Sequence, residues 1–221
     1  MSDPALHVED DPARNVGELL AASATRGEAI VLTGGGSVAR AYELAASIQP
    51  DWRVASVWWG DERCVPPDDE RSNYLLAKRT LFDRLDDEPD VHRIRGELQP
   101  ADAAGEYEKA LEGVELDFLL LGLGPDAHVA SLFPGSPQLE ERERLVTSGP
   151  AGLESFVDRV TLTLPALLSA RVIAFLVTGA DKAGAVQRAF RDEISEDAPA
   201  SLLRRGSAPI DVYLDVAASG G

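Results

Sequence analysis

Short apolar runs alternate along the chain with segments of helical period. Residues 28–33 (EAIVLT) are almost continuously apolar, residues 34–36 are glycine, and residues 37–48 repeat apolar positions at helical spacing. The same alternation recurs: a strand over 53–59 (RVASVWW), a charged loop, and a helix over 72–85. An amphipathic helix is predicted over 101–111 and a strand over 117–121 (DFLLL), ending in Gly122. A further strand over 171–178 (RVIAFLVT) precedes Gly179 and a helix over 181–190, and 210–214 (IDVYL) is the strand expected to close the sheet. Short runs rich in Val, Ile and Leu suit strands buried on both faces. Their alternation with helices predicts an α/β fold: a mostly parallel sheet covered by helices on both faces, doubly wound and Rossmann-like. In such sheets ligands gather beyond the carboxyl ends of the strands. Each polar motif discussed below follows a predicted strand or borders one, so the motifs are expected on one rim.

Composition narrows the function. The 221 residues suit a single domain spanning 1–221, and 44% hydrophobic residues are enough for a full core. No apolar stretch approaches the roughly 18 residues of a membrane span. The first residues, MSDPALHVEDD, have neither a basic start nor an apolar run, so a cytoplasmic location is expected. The single cysteine, Cys64, makes neither an internal disulfide nor a zinc cluster. Its ordinary reading is a small, half-buried loop residue; a nucleophilic thiol is the alternative. A formal net charge of −17 repels nucleic acid and anionic membranes, so neither is an expected partner. Only three lysines are present, Lys78, Lys109 and Lys182; every other cation of this acidic chain is arginine.

Three loops carry candidate chemistry. Thr33-Gly34-Gly35-Gly36-Ser37 joins a strand to a helix. Glycines let the backbone approach a ligand, and the helix start offers free N–H groups to an anion. Ser37 is a candidate N-cap. The loop reads either as a phosphate cradle or as a tight turn before a capped helix, and it lacks the Gly-Lys-Ser/Thr ending of a nucleotide loop. The second loop, Gly60-Asp61-Glu62-Arg63, with Ser72-Asn73 further on, reads either as a solvated charge run or as an acid–arginine pair aimed at an anion. The third, Gly122-Leu123-Gly124-Pro125-Asp126-Ala127-His128, is the strongest. Of three histidines, His7 lies near the terminus and His92 in a charged stretch; only His128 sits in a glycine-rich loop after a buried strand. An imidazole, with a reference pKa of about 6.5, suits proton transfer near neutrality, and Asp126 is placed to orient it. The alternative is a histidine that caps the next turn. Gly-x-Gly-x-x-Ala in the first and third loops also matches a loose dinucleotide fingerprint. Pro134 and Pro125 argue against it in the third loop, and the first has only Asp51 where an acidic residue is needed, so nicotinamide binding is a minor alternative. Two further cations flank predicted elements: Arg159, opening RVTLTLP, and Lys182, at a helix start where a cation opposes the dipole unless an anion is near.

Together these segments resemble the glucosamine-6-phosphate isomerase/6-phosphogluconolactonase family, on its lactonase side. The resemblance runs from about Glu28 to Ala218 through LTGGGS, WWGDERCVPPDDERSNY, LLLGLGPDAHVASLFPG, RVTLTLPALLSARVIAFLVTGADKA, APASLL and VYLDVAA. Gly-x-Gly-Pro-Asp-x-His-x-Ala-Ser-Leu-Phe-Pro is its most specific motif. Ala127 stands where the family usually has Gly, Val129 where it has Thr, Val38 where it has Pro, and Gly36 where another small or polar residue is common. Deaminases of the same fold resemble Gly-Leu-Asp-Glu at Gly60–Arg63 and carry Asn-Glu-Pro where this chain has Leu132-Phe133-Pro134, so the glutamate of the more demanding reaction is missing. The resemblance implies a phosphorylated sugar lactone as substrate and no cofactor or metal, for which the residue types offer no ligand spacing. It implies His128 as general base oriented by Asp126. Gly34, Gly35, Gly36, Ser37, Arg159 and Lys182 would hold the phosphate, and Arg63, held by Asp61, would position the substrate. A deaminase-like isomerase and a non-catalytic sugar-phosphate sensor remain alternatives, and a monomer or small homo-oligomer is expected.

Overall fold

The apolar runs form one parallel sheet. The computed structural model describes residues 3–153 and 156–220. Its strands are β1 (Ala5–Val8), β2 (Ala29–Leu32), β3 (Ser56–Trp59), β4 (Asp61–Arg63), β5 (Asp90–Val91), β6 (Phe118–Leu121), β7 (Val146–Gly149), β8 (Arg159–Leu162), β9 (Val172–Val177) and β10 (Ile210–Leu214). Seven of them lie in the order β1-β10-β9-β6-β2-β3-β5, and every neighbouring pair is parallel. The α-helices are α1 (Pro12–Arg26), α2 (Val38–Ile48), α3 (Asn73–Thr80), α4 (Pro100–Ala110), α5 (Leu164–Leu168), α6 (Ala183–Val186) and α7 (Val216–Ser219), and they flank the sheet. β2 and β6 are buried along their whole length, which explains their continuous apolar sequence.

The structure corrects several sequence expectations. β10 does not close the sheet: β1 pairs outside it, tied by His7 Nε2 to Asp211 Oδ1 at 2.7 Å. The charged segment after β3 is not a loop. It is strand β4, which joins β8 and β7 in a separate antiparallel sheet of three strands. The segment over 72–85 is shorter as an α-helix, and a 3₁₀ turn (Phe82–Arg84) follows it. The helix over 181–190 is a composite: a 3₁₀ turn (Ala180–Lys182), α6, and a π-helical turn (Gln187–Arg191).

Parallel strands share one carboxyl rim, and two buried tyrosines fix where two of the strands stop. Thr33, just after β2, donates its N–H to Tyr42 Oη at 3.1 Å, and the same hydroxyl donates to Thr33 O at 2.6 Å. Trp59, ending β3, has the matching pair with Tyr107 at 2.7 and 3.1 Å. Each phenol therefore satisfies both polar groups of a residue that leaves the ladder, and burial pushes both phenols well above their usual range. Tyr42→Phe leaves the N–H and C=O of Thr33 buried and unpaired, which costs about 1–3 kcal/mol. Thermal unfolding followed by circular dichroism should show Tm lowered by roughly 2–4 °C per kcal/mol, with Tyr213→Phe, on a half-buried ring, as the nearly neutral control.

Candidate active site

The third loop turns over on itself immediately beyond β6. Ala127 N–H donates to Gly124 O at 2.9 Å, and Gly124 N–H donates to His128 O at 3.0 Å. Ala127, fully buried, has φ 66°, and Ala130 has φ 49°. These are the only non-glycine residues with positive φ among the described residues, and they bracket His128. The left-handed conformation costs an L-residue about 1–2 kcal/mol. It brings Asp126 Oδ1 within 2.6 Å of His128 Nδ1, while the same oxygen accepts His128 N–H at 3.1 Å. An ionised carboxylate only accepts, so Nδ1 carries the proton of the neutral ring and Nε2 is left as the basic nitrogen. Burial alone would raise the Asp126 carboxyl. The hydrogen bond to His128 and its charge outweigh burial and hold it below its ordinary value. The imidazole rests on Gly124, where a Cβ would lie 2.0 Å from Nδ1, and against Phe133 at 4.4 Å between ring centroids.

His128 opens on a cavity of about 320 Å³. Gly34, Gly35, Asp61, Arg63, Arg159 and Lys182 also line it, so residues from all three loops and both flanking cations meet there. Arg63 and Arg159 stand directly opposite each other in the β4–β8 register, and Arg159 is buried. Burial first, and then the Arg63 charge, hold the Arg159 guanidinium below its ordinary value. Like charges opposite each other are unfavourable in a sheet. A chain of net charge −17 thus gathers cations at one concave place.

Gly36 and Ser37 border the main cavity without lining it. They line a smaller adjoining cavity of about 150 Å³, which shares Gly34, Gly35 and Lys182 with the larger one. Ser37 makes no N-cap hydrogen bond; its hydroxyl pairs with Thr178 Oγ1 at 2.6 Å. Asp61 does not hold Arg63. Its carboxylate accepts from Ser131 Oγ at 2.6 Å and Asn73 Nδ2 at 3.3 Å, and Arg63 Nη1 donates to Arg71 O. Neither His7 nor His92 lines the cavity; His92 stacks on Trp58 at 3.9 Å. Among the described residues no three His, Cys, Asp or Glu side chains converge on a metal position.

Comparison with known proteins places this chain in a family. The family model described as glucosamine-6-phosphate isomerases/6-phosphogluconolactonase matches residues 7–211. A 6-phosphogluconolactonase of Streptomyces coelicolor is 37% identical over 98% of this chain and 91% of its own length. The chain belongs to the glucosamine-6-phosphate isomerase/6-phosphogluconolactonase family. Among solved structures, 6-phosphogluconolactonase from Trypanosoma cruzi has a TM-score of 0.84 at 27% identity, covering 99% of this chain and 97% of that one. A monomeric glucosamine-6-phosphate deaminase has a TM-score of 0.85 at 20% identity, over 99% of both chains, a likeness of fold alone. The fold of the family therefore does not separate its two chemistries, and the site residues must.

Four residues absent from the sequence-predicted site build it. Glu62, buried within β4, accepts from the N–H groups of Arg63, Asn73 and Tyr74 and from Ser72 Oγ, all at 2.6–2.9 Å. It staples the strand bearing Asp61 and Arg63 to the start of α3. Asn73 donates to Asp61 O at 2.9 Å, and its carboxamide fills the space where a Cβ on Gly34 would lie, 1.8 Å from Oδ1. Ser131 and Thr178 are the other two. The Ser72-Asn73 pair in the family motif was the available signal for Asn73; a serine or threonine hydroxyl in a loop gives none. Cys64 is half-buried, and burial, followed by the charge of Asp158, pushes its thiol up to about 11, so it holds little thiolate at neutral pH.

Proposed function

We propose that this protein hydrolyses 6-phospho-D-glucono-1,5-lactone to 6-phospho-D-gluconate, the lactone-opening step of the oxidative pentose phosphate pathway. The observation that carries this reading is the Asp126–His128 pair at 2.6 Å on a cavity also lined by Arg63, Arg159 and Lys182. A general base beside a cluster of cations fits a neutral ester that carries a phosphate. The 6-phosphogluconolactonases at 35–37% identity support the substrate. The buried apolar pair Leu132 and Phe133 supports hydrolysis over deamination, since it offers no acid–base group where the deaminase motif has glutamate.

His128 Nε2 takes a proton from a water molecule as its oxygen attacks the lactone carbonyl at C1. Asp126 stabilises the imidazolium that forms. Collapse of the tetrahedral adduct breaks the bond from C1 to the ring oxygen, and the imidazolium returns its proton to that oxygen, leaving a hydroxyl and a carboxylic acid that ionises. The phosphate lies against Gly34, Gly35 and the smaller cavity with Gly36, Ser37 and Thr178, and it is neutralised by Lys182 and Arg159. Arg63 and Asp61 border the sugar ring.

Lys182→Ala and Arg159→Ala remove cations that pair with the phosphate. Each charge-assisted bond is worth roughly 1.5–3 kcal/mol, so KM should rise about tenfold or more. Lys182, half exposed, is the cleaner test because its loss opens no core. The check is a lactone without the phosphate: the reading requires that both variants match the wild type on it, and an equal loss on both substrates removes the assignment.

His128→Asn should lower kcat by about 10²–10⁴-fold, the usual contribution of a general base, with little change in affinity for 6-phosphogluconate measured by calorimetry. His92→Asn is the control. Near-normal kcat in His128→Asn removes the mechanism, whereas loss of its melting transition assigns His128 to the fold.

A further inference from the structure

Two peptide groups near Asp126, Pro125–Asp126 and Ala127–His128, are held from outside the loop. The carbonyl before Asp126, Pro125 O, accepts from Arg188 Nη2 at 2.8 Å, across 63 residues of sequence. The carbonyl of the following residue, Ala127 O, accepts from Ala200 N–H at 3.0 Å. Arg188 leaves the π-helical turn Gln187–Arg191, where Asp192 N–H reaches back to Gln187 O at 2.9 Å. Such wide turns are rare and gather at functional sites. Arg188 is exposed and belongs to neither cavity of the site.

Ala127 is the residue that needs this support. At φ 66° it carries a conformation that glycine adopts freely and alanine resists, and persistent strain of this kind requires surroundings that over-determine it. Two of the determinants lie inside the loop, the bonds Ala127 N–H to Gly124 O and Gly124 N–H to His128 O. The other two are the external bonds from Arg188 and Ala200. We infer that Arg188 is a positioning residue for the Asp126–His128 pair: its bond to Pro125 O holds the left-handed turn at Ala127 closed. Without it the turn relaxes toward negative φ, and Asp126 moves off His128 Nδ1. The ring then loses the partner that fixes its tautomer and aim. Arg159 and Lys182 take no part in these bonds, so the loss falls on turnover and spares substrate binding. The inference rests on the reading of His128 as general base.

The experiment compares kcat, KM and Tm for Arg188→Met, Arg188→Lys, Ala127→Gly/Arg188→Met and Asp126→Asn/Arg188→Met with their parents, beside His128→Asn. Arg188→Met should lower kcat about tenfold, within the up to 10²-fold that follows from a 1 Å misplacement. KM should stay within about twofold, and Tm within about 2 °C, as for an exposed side chain. Arg188→Lys keeps a cationic donor and should recover most of the rate. Glycine at 127 holds the turn without strain, so Ala127→Gly should also restore kcat in the Arg188→Met background. Asp126→Asn should abolish the effect of Arg188→Met, because the two changes act through the same pair. Normal kcat in Arg188→Met overturns the inference, as does a full further loss in both double variants. If His128→Asn is impaired while Arg188→Met is normal, this inference alone fails; if His128→Asn is normal, the reading beneath it fails as well.

Discussion

The Asp126–His128 contact, at 2.6 Å, is made across a left-handed turn at Ala127, whereas Asp90 and His92, at the same spacing, meet at 2.8 Å with no positive φ between them. Much of the surrounding structure serves the turn at Ala127. Gly124 leaves room for the ring, its carbonyl takes the Ala127 N–H, and Arg188 and Ala200 hold the carbonyls of Pro125 and Ala127. The orientation of the proposed base is thus set by backbone geometry that the chain maintains against its own preference.

The parallel sheet supplies the other half of the site by direction alone. β2, β3, β6 and β9 run the same way, so the glycine loop, the acid–arginine strand, the histidine loop and the lysine turn begin at one rim. The small antiparallel sheet then places Arg159 across from Arg63. Three buried or half-buried carboxylates divide the work. Glu62 anchors backbone, Asp61 ties two loops together, and Asp126 addresses His128. Of these three, only Asp126 makes its side-chain contact with a titratable ring.

How much of this was legible in the sequence follows from where the information lies. Buried parallel strands are written as unbroken apolar runs, so β2, β6 and β9 and the loops after them could be read directly. α1 was not predicted, although Val16 and Leu20 lie on its buried face beside the small residues Ala13, Gly17, Ala21 and Ala24. β4 was hidden by its charges: Asp-Glu-Arg reads as solvated, yet Glu62 is buried because four donors surround its carboxylate. The supposed Asp61–Arg63 pair failed for a related reason. Strand neighbours at i and i+2 lie on one face, but nothing local reveals that Ser131 and Asn73 claim the Asp61 carboxylate first. The Asp126–His128 contact was readable as a pair, whereas its supports from Arg188 and Ala200 are long-range and leave no trace in spacing.

The central claim is that the Asp126–His128 pair activates water and that no protein carboxylate attacks the lactone. A single-turnover reaction in H₂¹⁸O, with enzyme in excess over lactone and the product carboxylate read by mass spectrometry, addresses it directly. Attack by water predicts one ¹⁸O in the carboxylate of the first product formed. An unlabelled oxygen in that first turnover, drawn from a carboxylate such as Asp61 or Asp126, would contradict the account.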